Sequence, residues 1–386
     1  MATVSPPAQP SGTLRFADKA RLAPPHVLDM ASPIHLARVL WHYGFSPRDL
    51  PRVAFFALRS LPGIPFRILD RCLSWRKVRH TRLEKAPLFI IGHWRSGTSH
   101  LHNLLSCDPQ FGLLTTFHSI ASESFLGVPG LIRRLVSLEE LPATRPMDEV
   151  RVSLDTPQEE EMLMARLSVL SWDHSWIFPQ KMREIFDRAV LFEGSPRLAR
   201  QWQHTYDWML RRLSLSHDGK RLCLKNPPNT ARIRQLLELY PDARFVHIYR
   251  NPYVVYRSMV HMWTTMTLHW ALQPYERQQA EDTLVYFYQR LMHKYFEDAP
   301  RIPAGRLVEM KFENLDADPL GEVARLYREL SLEGFEQIRP RLKSYLAGLG
   351  NYRKNEYRFS RDLVDRVQGA WGFTLKRWDY EPPAVG

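Results

Sequence analysis

Cysteine is scarce in this 386-residue chain, and the three present lie far apart. Cys72, Cys107 and Cys223 form neither a zinc-ligand spacing nor a disulfide framework, a usage that suits a reducing compartment. Long apolar runs are lacking too. A helix needs about 20 largely apolar residues to span a bilayer, and the best stretch here, 53–69, is broken by Arg59, Pro62, Gly63, Pro65 and Arg67. The first residues show no charged-then-apolar secretion pattern, and 5–12 read as a loose tail, so the expected location is cytoplasmic. There is no internal repeat or low-complexity tract, and no His/Cys/Asp/Glu spacing that argues for a metal. With 44% hydrophobic and 24% charged residues, the chain has the composition of a globular protein with ample core.

Acidic residues are the minority. Lys and Arg number 53 against 41 Asp and Glu, a formal net charge of +12. Residues 1–85 hold fourteen Lys/Arg and five Asp/Glu, so +9 of that excess precedes the middle of the chain. Such an imbalance points to an anionic partner, a membrane surface or a polyanionic cofactor, with a solvated basic face as the plain alternative. No nucleic-acid-binding signature is present, so nucleic acid is not an expected partner.

The chain is organised around residues 87–101. Leu88, Phe89, Ile90 and Ile91 read as a buried strand, Gly92 breaks the run, and Ser96-Gly97-Thr98-Ser99 opens a helix through Leu101, Leu104 and Leu105. A strand that feeds a small-residue loop and a helix N-terminus is an anion site, because first-turn N–H groups lack intrahelical partners and the helix dipole adds positive charge. Arg95 brings a permanent cation and Thr98 and Ser99 bring hydroxyls. The Gly92-to-Gly97 spacing fits a phosphate-binding P-loop, but Thr98 stands where that loop carries lysine. The cation is displaced to Arg95, ahead of the glycine, which argues against a nucleoside-triphosphatase and for a related loop holding another phosphate-like group.

Before this loop, residues 1–30 read as a flexible tail and 31–85 as a helical segment packed on the main domain, which spans 86–386. Ser32-Pro33 caps a helix ending at Gly44, and Ser46-Pro47-Arg48-Asp49 starts another. Leu50, Val53, Ala54, Ala57, Leu58 and Leu61 make its apolar face, flanked by arginines. This pair can pack on the domain, the preferred reading, or lie peripherally on the inner face of a membrane. Beyond the loop, a short strand is expected at 111–116 and a helix at 129–141. Asp155-Thr156-Pro157-Gln158-Glu159-Glu160-Glu161 reads as a helix start, with Thr156 as cap and Glu159 completing a capping box. A helix from Ser195-Pro196, a strand at 221–225, a helix through Ile233–Tyr240, a strand at 244–249, a helix from Asn251-Pro252 to about Trp263, a helix at 275–296, a strand at 307–310 and helices at 320–330 and 335–346 complete the order. The expected fold is α/β: a P-loop-like parallel sheet of about five strands flanked by helices, with the added helical N-terminal segment.

Ligands of open parallel sheets bind outside the carboxyl ends of the strands. Arg95, Lys225 and Arg250 fall at three such ends, with hydroxyls at Thr98, Ser99 and Ser258, so one rim would carry a cluster of cations suited to a ligand with two separate anionic ends.

With these residues in view, a resemblance is plain. Arg95-Ser96-Gly97-Thr98-Ser99 resembles the 5′-phosphosulfate loop of sulfotransferases, and Arg250 to Ser258 their 3′-phosphate motif. Lys225-Asn226-Pro227-Pro228, Phe312-Glu313-Asn314-Leu315, and Arg145-Pro146-Met147-Asp148 through Glu159-Glu160-Glu161 are similar to the bacterial branch of that family, so the likeness covers about 87–320. It implies 3′-phosphoadenosine 5′-phosphosulfate (PAPS) as co-substrate, no metal, a hydroxyl acceptor, and a sulfate ester and adenosine 3′,5′-bisphosphate as products. It gives Arg95 the catalytic basic position, Lys225 a place near the sulfuryl group, and Arg250 and Ser258 the 3′-phosphate. Ser96, Gly97, Thr98 and Ser99 would cradle the 5′ end, and Arg353 and Lys354, beside Arg358, would either close over the 3′-phosphate or form a solvated basic loop.

Two departures matter. Pro227 replaces the histidine that better-known relatives use as base, and His100 replaces a tryptophan, so the base must come from elsewhere. Glu160 is the first choice, then Glu159, with purely structural acids close behind. His93 follows, and His174, orientable by Asp173, is more plausibly a surface histidine. Aromatic and Met residues at 261–266 and 172–176 form either core or an apolar acceptor pocket. The acceptor is then a lipid or prenylated alcohol, or a glycan. Two other functions compete: a P-loop kinase or nucleotide hydrolase, which the missing lysine and the basic end of the 244–249 strand oppose, and a non-enzymatic basic protein held at a membrane by charge.

Overall fold

The computed structural model describes residues 26–137, 141, 152–274, 277–349 and 359–385. At its centre β1 (Leu88–Ile91), β2 (Phe111–Leu113), β3 (Arg221–Lys225), β4 (Arg244–Tyr249) and β5 (Leu307–Lys311) form one parallel sheet in the order β2-β3-β1-β4-β5. β1 lies between β3 and β4, with Leu88 opposite both Cys223 and Arg244. Its four residues are all buried, as an uninterrupted apolar run requires when helices cover both faces. One face packs Phe89, Phe245, Trp172, Trp202 and Trp263 into the larger core; the other packs Leu101, Leu105, Val308, Leu326 and Leu342.

The helices are α1 (Pro33–Tyr43), α2 (Leu50–Ser60), α3 (Ile64–His80), α4 (Thr98–Leu105), α5 (Pro129–Ser137), α6 (Glu160–Leu167), α7 (Pro196–Ser216), α8 (Ile233–Leu239), α9 (Pro252–Trp270), α10 (Arg277–Asp298), α11 (Pro319–Glu329), α12 (Phe335–Gly348) and α13 (Arg361–Trp378), with short turns of helix between them. Their starts follow local chemistry. Ser32 accepts from the His35 N–H, Ser195 from Arg197 N–H and Asn251 from Tyr253 N–H, each with proline in the first turn where a missing N–H costs nothing. The helix from Asn251 runs seven residues past the expected Trp263, because Met262, Trp263, Met266 and Trp270 keep one side in the core. The helix of 129–141 is described to Ser137.

Two helices escape the sequence reading. Pro62, Gly63 and Pro65 look like interruptions, yet Pro65 sits in the first turn of α3, which then runs to His80. α13 follows the basic segment, where no helix is expected, and its Trp371 and Trp378 are buried. The expected capping box at Thr156 is not formed. The Gln158 N–H donates to the Leu114 carbonyl, the Thr156 carbonyl accepts from Thr116 N–H, and Pro157 bridges Thr115, so this run stays extended beside 114–116 and the helix waits until Glu160. Thr156 Oγ1 instead accepts from the Ser153 N–H. Arg145 to Asp148, Arg353, Lys354 and Arg358 lie outside the described residues.

Candidate active site

Because all five strands are parallel, their carboxyl ends share one rim, and the chain loads it with cations. After β1 the loop turns sharply: Gly92 and Gly97 have φ of 140° and 98°, and Arg95 itself lies at φ 66°. A Cβ at Gly92 would strike the Ile248 carbonyl, and one at Gly97 the Phe312 ring, so backbone approaches close here that only glycine allows. The loop is pinned from three sides. Ser96 Oγ donates to the His93 and Ile248 carbonyls, and Gly92 N–H donates to Thr230 Oγ1 at 2.7 Å. A non-glycine residue held left-handed in a loop so well fixed is the kind of strain that accompanies a working site.

The two predicted cradles meet. Arg95 Nε donates to Ser258 Oγ at 2.8 Å, joining the loop after β1 to the second turn of α9. The Arg250 guanidinium lies 4.2 Å from the centre of the Phe312 ring and reaches the Arg95 carbonyl at 3.5 Å. Phe312, the residue after β5, thus sits between Gly97 and Arg250 and sets their separation. Sequence reading noted it only within the Phe312-Glu313-Asn314-Leu315 run. Glu313 fixes the next segment, accepting from the Asn251 N–H and the Tyr380 hydroxyl. His261, one turn beyond Ser258, is held below the usual imidazole range by desolvation and then by the Arg95 and Arg257 charges.

On the other side of β1, Lys225 Nζ bonds Ser99 Oγ at 3.3 Å and Glu159 at 2.5 Å. The three consecutive glutamates have three different surroundings. The Glu159 side chain keeps 25% of its surface exposed and faces Lys225. Glu161 is fully buried, ion-paired to Arg232 at 2.9 Å and bonded by Asn226 and the Trp172 N–H. Glu160 is also fully buried; Asn229 reaches its Oε2 at 3.4 Å, while its Oε1 has no hydrogen-bond partner among the described residues. Desolvation pushes its carboxyl up to about 8, partly offset by Lys225.

The histidines divide differently. His93 is buried against Tyr288, its Nδ1–H donating to the Trp94 carbonyl, and burial lowers it to about 4. It is neutral at pH 7, with Nε2 buried and without a hydrogen-bond partner among the described residues. His174 is buried between the Ala165 and Val169 carbonyls, and Asp173 turns to Trp176 Nε1 rather than to it. Trp172, Trp176 and Trp263 are core: Trp263 stacks on Trp176 at 4.4 Å and Trp172 contacts Trp94, while His261 is exposed.

A sequence profile of the sulfotransferase family matches residues 87–337. The chain belongs to the sulfotransferase family. It is 32% identical over 365 residues to omega-hydroxy-beta-dihydromenaquinone-9 sulfotransferase Stf3 of Mycobacterium bovis and to that of Mycobacterium tuberculosis, covering 92% of this chain and 90% of each relative. The same fold occurs in the crystal structure of sulfotransferase STF9 from Mycobacterium avium, with a TM-score of 0.65 at 17% identity over 95% of this chain and 90% of that one. Sulfotransferase STF1 from Mycobacterium tuberculosis gives 0.59 at 21% identity, covering 82% and 87%. The protein is therefore a sulfotransferase with a P-loop-like parallel sheet, and the reading as a nucleotide kinase or hydrolase is set aside. For this sulfotransferase, Arg95, Ser96, Gly97, Thr98, Ser99, Lys225, Arg250 and Ser258, expected to face the phosphates, fall on one rim, whereas His174 belongs to the core. Thr230 and Asn229, which fasten the loop and Glu160, carry no signal in the sequence beyond their place after a strand.

Proposed function

We propose that this sulfotransferase takes its sulfuryl group from PAPS and passes it to the terminal hydroxyl of a lipid, a prenylated alcohol of the quinone type. The observation that carries the donor assignment is the Arg95–Ser258 hydrogen bond, which puts both anion-holding groups within reach of one nucleotide. The pocket chemistry fits that nucleotide: a glycine cradle too tight for any Cβ, a helix N-terminus, and three cations at strand ends. When bound, PAPS supplies an activated sulfuryl group on its 5′-phosphate. The loop N–H groups of Gly97, Thr98 and Ser99 hold that end, and Arg250 and Ser258 hold the 3′-phosphate.

During transfer the bond from sulfur to the acceptor oxygen forms as the bond to the 5′-phosphate oxygen breaks, and the leaving electron pair stays on that phosphate. Arg95 and Lys225 neutralise it. The acceptor proton goes to Glu159. A base must reach the hydroxyl, and of the candidates Glu159 has exposed surface beside Lys225, while Glu160 and His93 are buried. Lys225 released toward the donor leaves Glu159 free to take the proton.

The lipid acceptor is supported by the relative whose name gives a menaquinone derivative as substrate. Incubation of the protein with radiolabelled PAPS and separate lipid and glycan extracts tests both halves. Label in the organic phase is expected. Label only in glycan overturns the acceptor, and absence of any thermal shift with adenosine 3′,5′-bisphosphate overturns the donor.

A further inference from the structure

The apolar stripe of α2 faces outward. Leu50, Ala54, Ala57, Leu58 and Leu61 recur at helical spacing and are all exposed, whereas Arg52, Phe56 and Ser60 face the body. Arg52 is turned in because its guanidinium bonds the His269 and Ala271 carbonyls at 2.8 and 2.6 Å, capping the end of α9. α3 repeats the inversion: Asp70, Ser74 and Val78 are buried, and Ile64, Ile68, Leu69, Leu73 and Trp75 are exposed. Asp70 holds Arg212 at 2.8 Å and the N–H groups of Leu126 and Gly127, so α3 uses polar groups to attach itself and leaves its apolar ones outside. Those N–H groups lead into α5, which exposes Leu131 and Leu135. Trp41 of α1 is 93% exposed, Leu58 66% and Ile68 60%. Phe55 of α2 and Ile34 of α1 are exposed as well, and beyond these helices the exposed large apolar side chains among the described residues are Leu268, Leu349 and Val385. Exposed apolar side chains in this number on successive helices mark an interaction surface.

We infer that α2 and α3 dock this sulfotransferase on an anionic phospholipid bilayer, with their apolar side chains entering the headgroup boundary. Charge selects this occupant. Residues 47–80 hold eight Lys/Arg and two Asp/Glu. Neither acid is exposed: Asp70 is buried and Asp49 faces Arg52. Arg48, Arg71, Arg76, Lys77 and Arg79 are exposed among the apolar residues, and Arg71 lies over the Trp75 ring at 5.6 Å. Protein interfaces exclude charge from their centres, whereas a bilayer surface takes apolar side chains and meets interspersed cations with lipid phosphates, with tryptophan favoured at headgroup depth. Position agrees. α2 is seated on the end of α9, whose Ser258 lies ten residues before Leu268, about 15 Å along the helix, so the docked face and the donor rim are two ends of one element. The inference draws its purpose from the lipid acceptor proposed above but its evidence from the exposed face alone.

The test uses the full chain and sedimentation with phosphatidylcholine vesicles, with and without phosphatidylglycerol. Binding to the anionic vesicles, weakened by salt, is expected, and the triple change Leu58→Glu, Leu61→Glu, Ile68→Glu should lower it by roughly tenfold or more. The adenosine 3′,5′-bisphosphate thermal shift of that variant should match the parent protein, which certifies its fold. A nitrobenzoxadiazole label on Cys72, the exposed cysteine of α3, should shift to the blue with anionic vesicles. No vesicle binding by the parent protein overturns the proposal. So does a dimer that the triple change dissociates, or vesicle binding that appears only when residues 1–25 are removed. If no acceptor is sulfated but vesicles are bound, the function reading fails and the docking face stands.

Discussion

The rim at the strand ends and the N-terminal helices both bury polar groups, but to different ends. At the rim, backbone and cations are turned inward: Ser96, Thr98, Lys225 and Ser258 are nearly inaccessible, and each of Ser96, Lys225 and Ser258 is tied to a partner that fixes its direction. In α2 and α3 the polar groups also face inward, at Arg52 and Asp70, but there they serve as fasteners and the apolar residues are left outside. Buried polar groups need partners in both places, because an unpaired one costs roughly 1–3 kcal/mol. The rim spends that pairing on holding shape for a charged ligand, the helices on presenting a surface. Burial alone therefore does not separate a catalytic group from an anchor; the direction of its partners does.

That contrast can be broken at its strongest point first. Arg95→Ala should cut turnover by about 10³-fold or more with the melting temperature nearly unchanged, since Arg95 is assigned to charge that develops during transfer. An equal loss of stability would make it a fastener like Arg52. Glu159→Gln should lower kcat by about 10²- to 10⁴-fold and leave adenosine 3′,5′-bisphosphate affinity, read by calorimetry, where it was. If Glu160→Gln does this instead, the base is the buried neighbour. Glu161→Gln sharpens the comparison from the other side. It strands Arg232 in the core, and breaking a buried pair in this way costs about 3–5 kcal/mol, so denaturant unfolding should show a large loss.

A smaller, pH-dependent effect belongs to Glu160. Burial pushes its carboxyl up to about 8 in the folded protein, above the ordinary carboxylate range near 4.5. The folded state thus holds a proton the unfolded state has lost, and stability from this group falls as pH rises from about 5 to 8. Glu160→Gln should remove that fall, so its melting temperature should gain on the parent protein across this window; a constant difference would show that Glu160 titrates normally. The smallest effect is expected from the Leu58, Leu61 and Ile68 changes on donor affinity, which should be nil.

Much of the rim was legible because each part is local. A buried run followed by glycine and paired hydroxyls specifies strand, turn and helix within fifteen residues, and the parallel alternation of strands and helices brings the strand ends together. The glutamate run was not legible in the same way. Thr156, Pro157 and Glu159 fit a capping box, but hydrogen bonds from Leu114 and Thr116, some forty residues earlier, hold the segment extended. The outcome for Glu159, Glu160 and Glu161 rested on those distant partners.

The amino-acid order by itself determined the strands, the caps at Ser32, Ser195 and Asn251, and the strand–turn–helix form of the 87–101 loop, because sterics, capping and apolar runs act between near neighbours. Only the tertiary structure decided which glutamate meets Lys225, that Phe312 sets the spacing of Gly97 and Arg250, and that the apolar stripe of α2 looks away from the core. Helical spacing fixes which residues share a face, but which face is buried depends on what lies against it, and here the His269 and Ala271 carbonyls claimed Arg52.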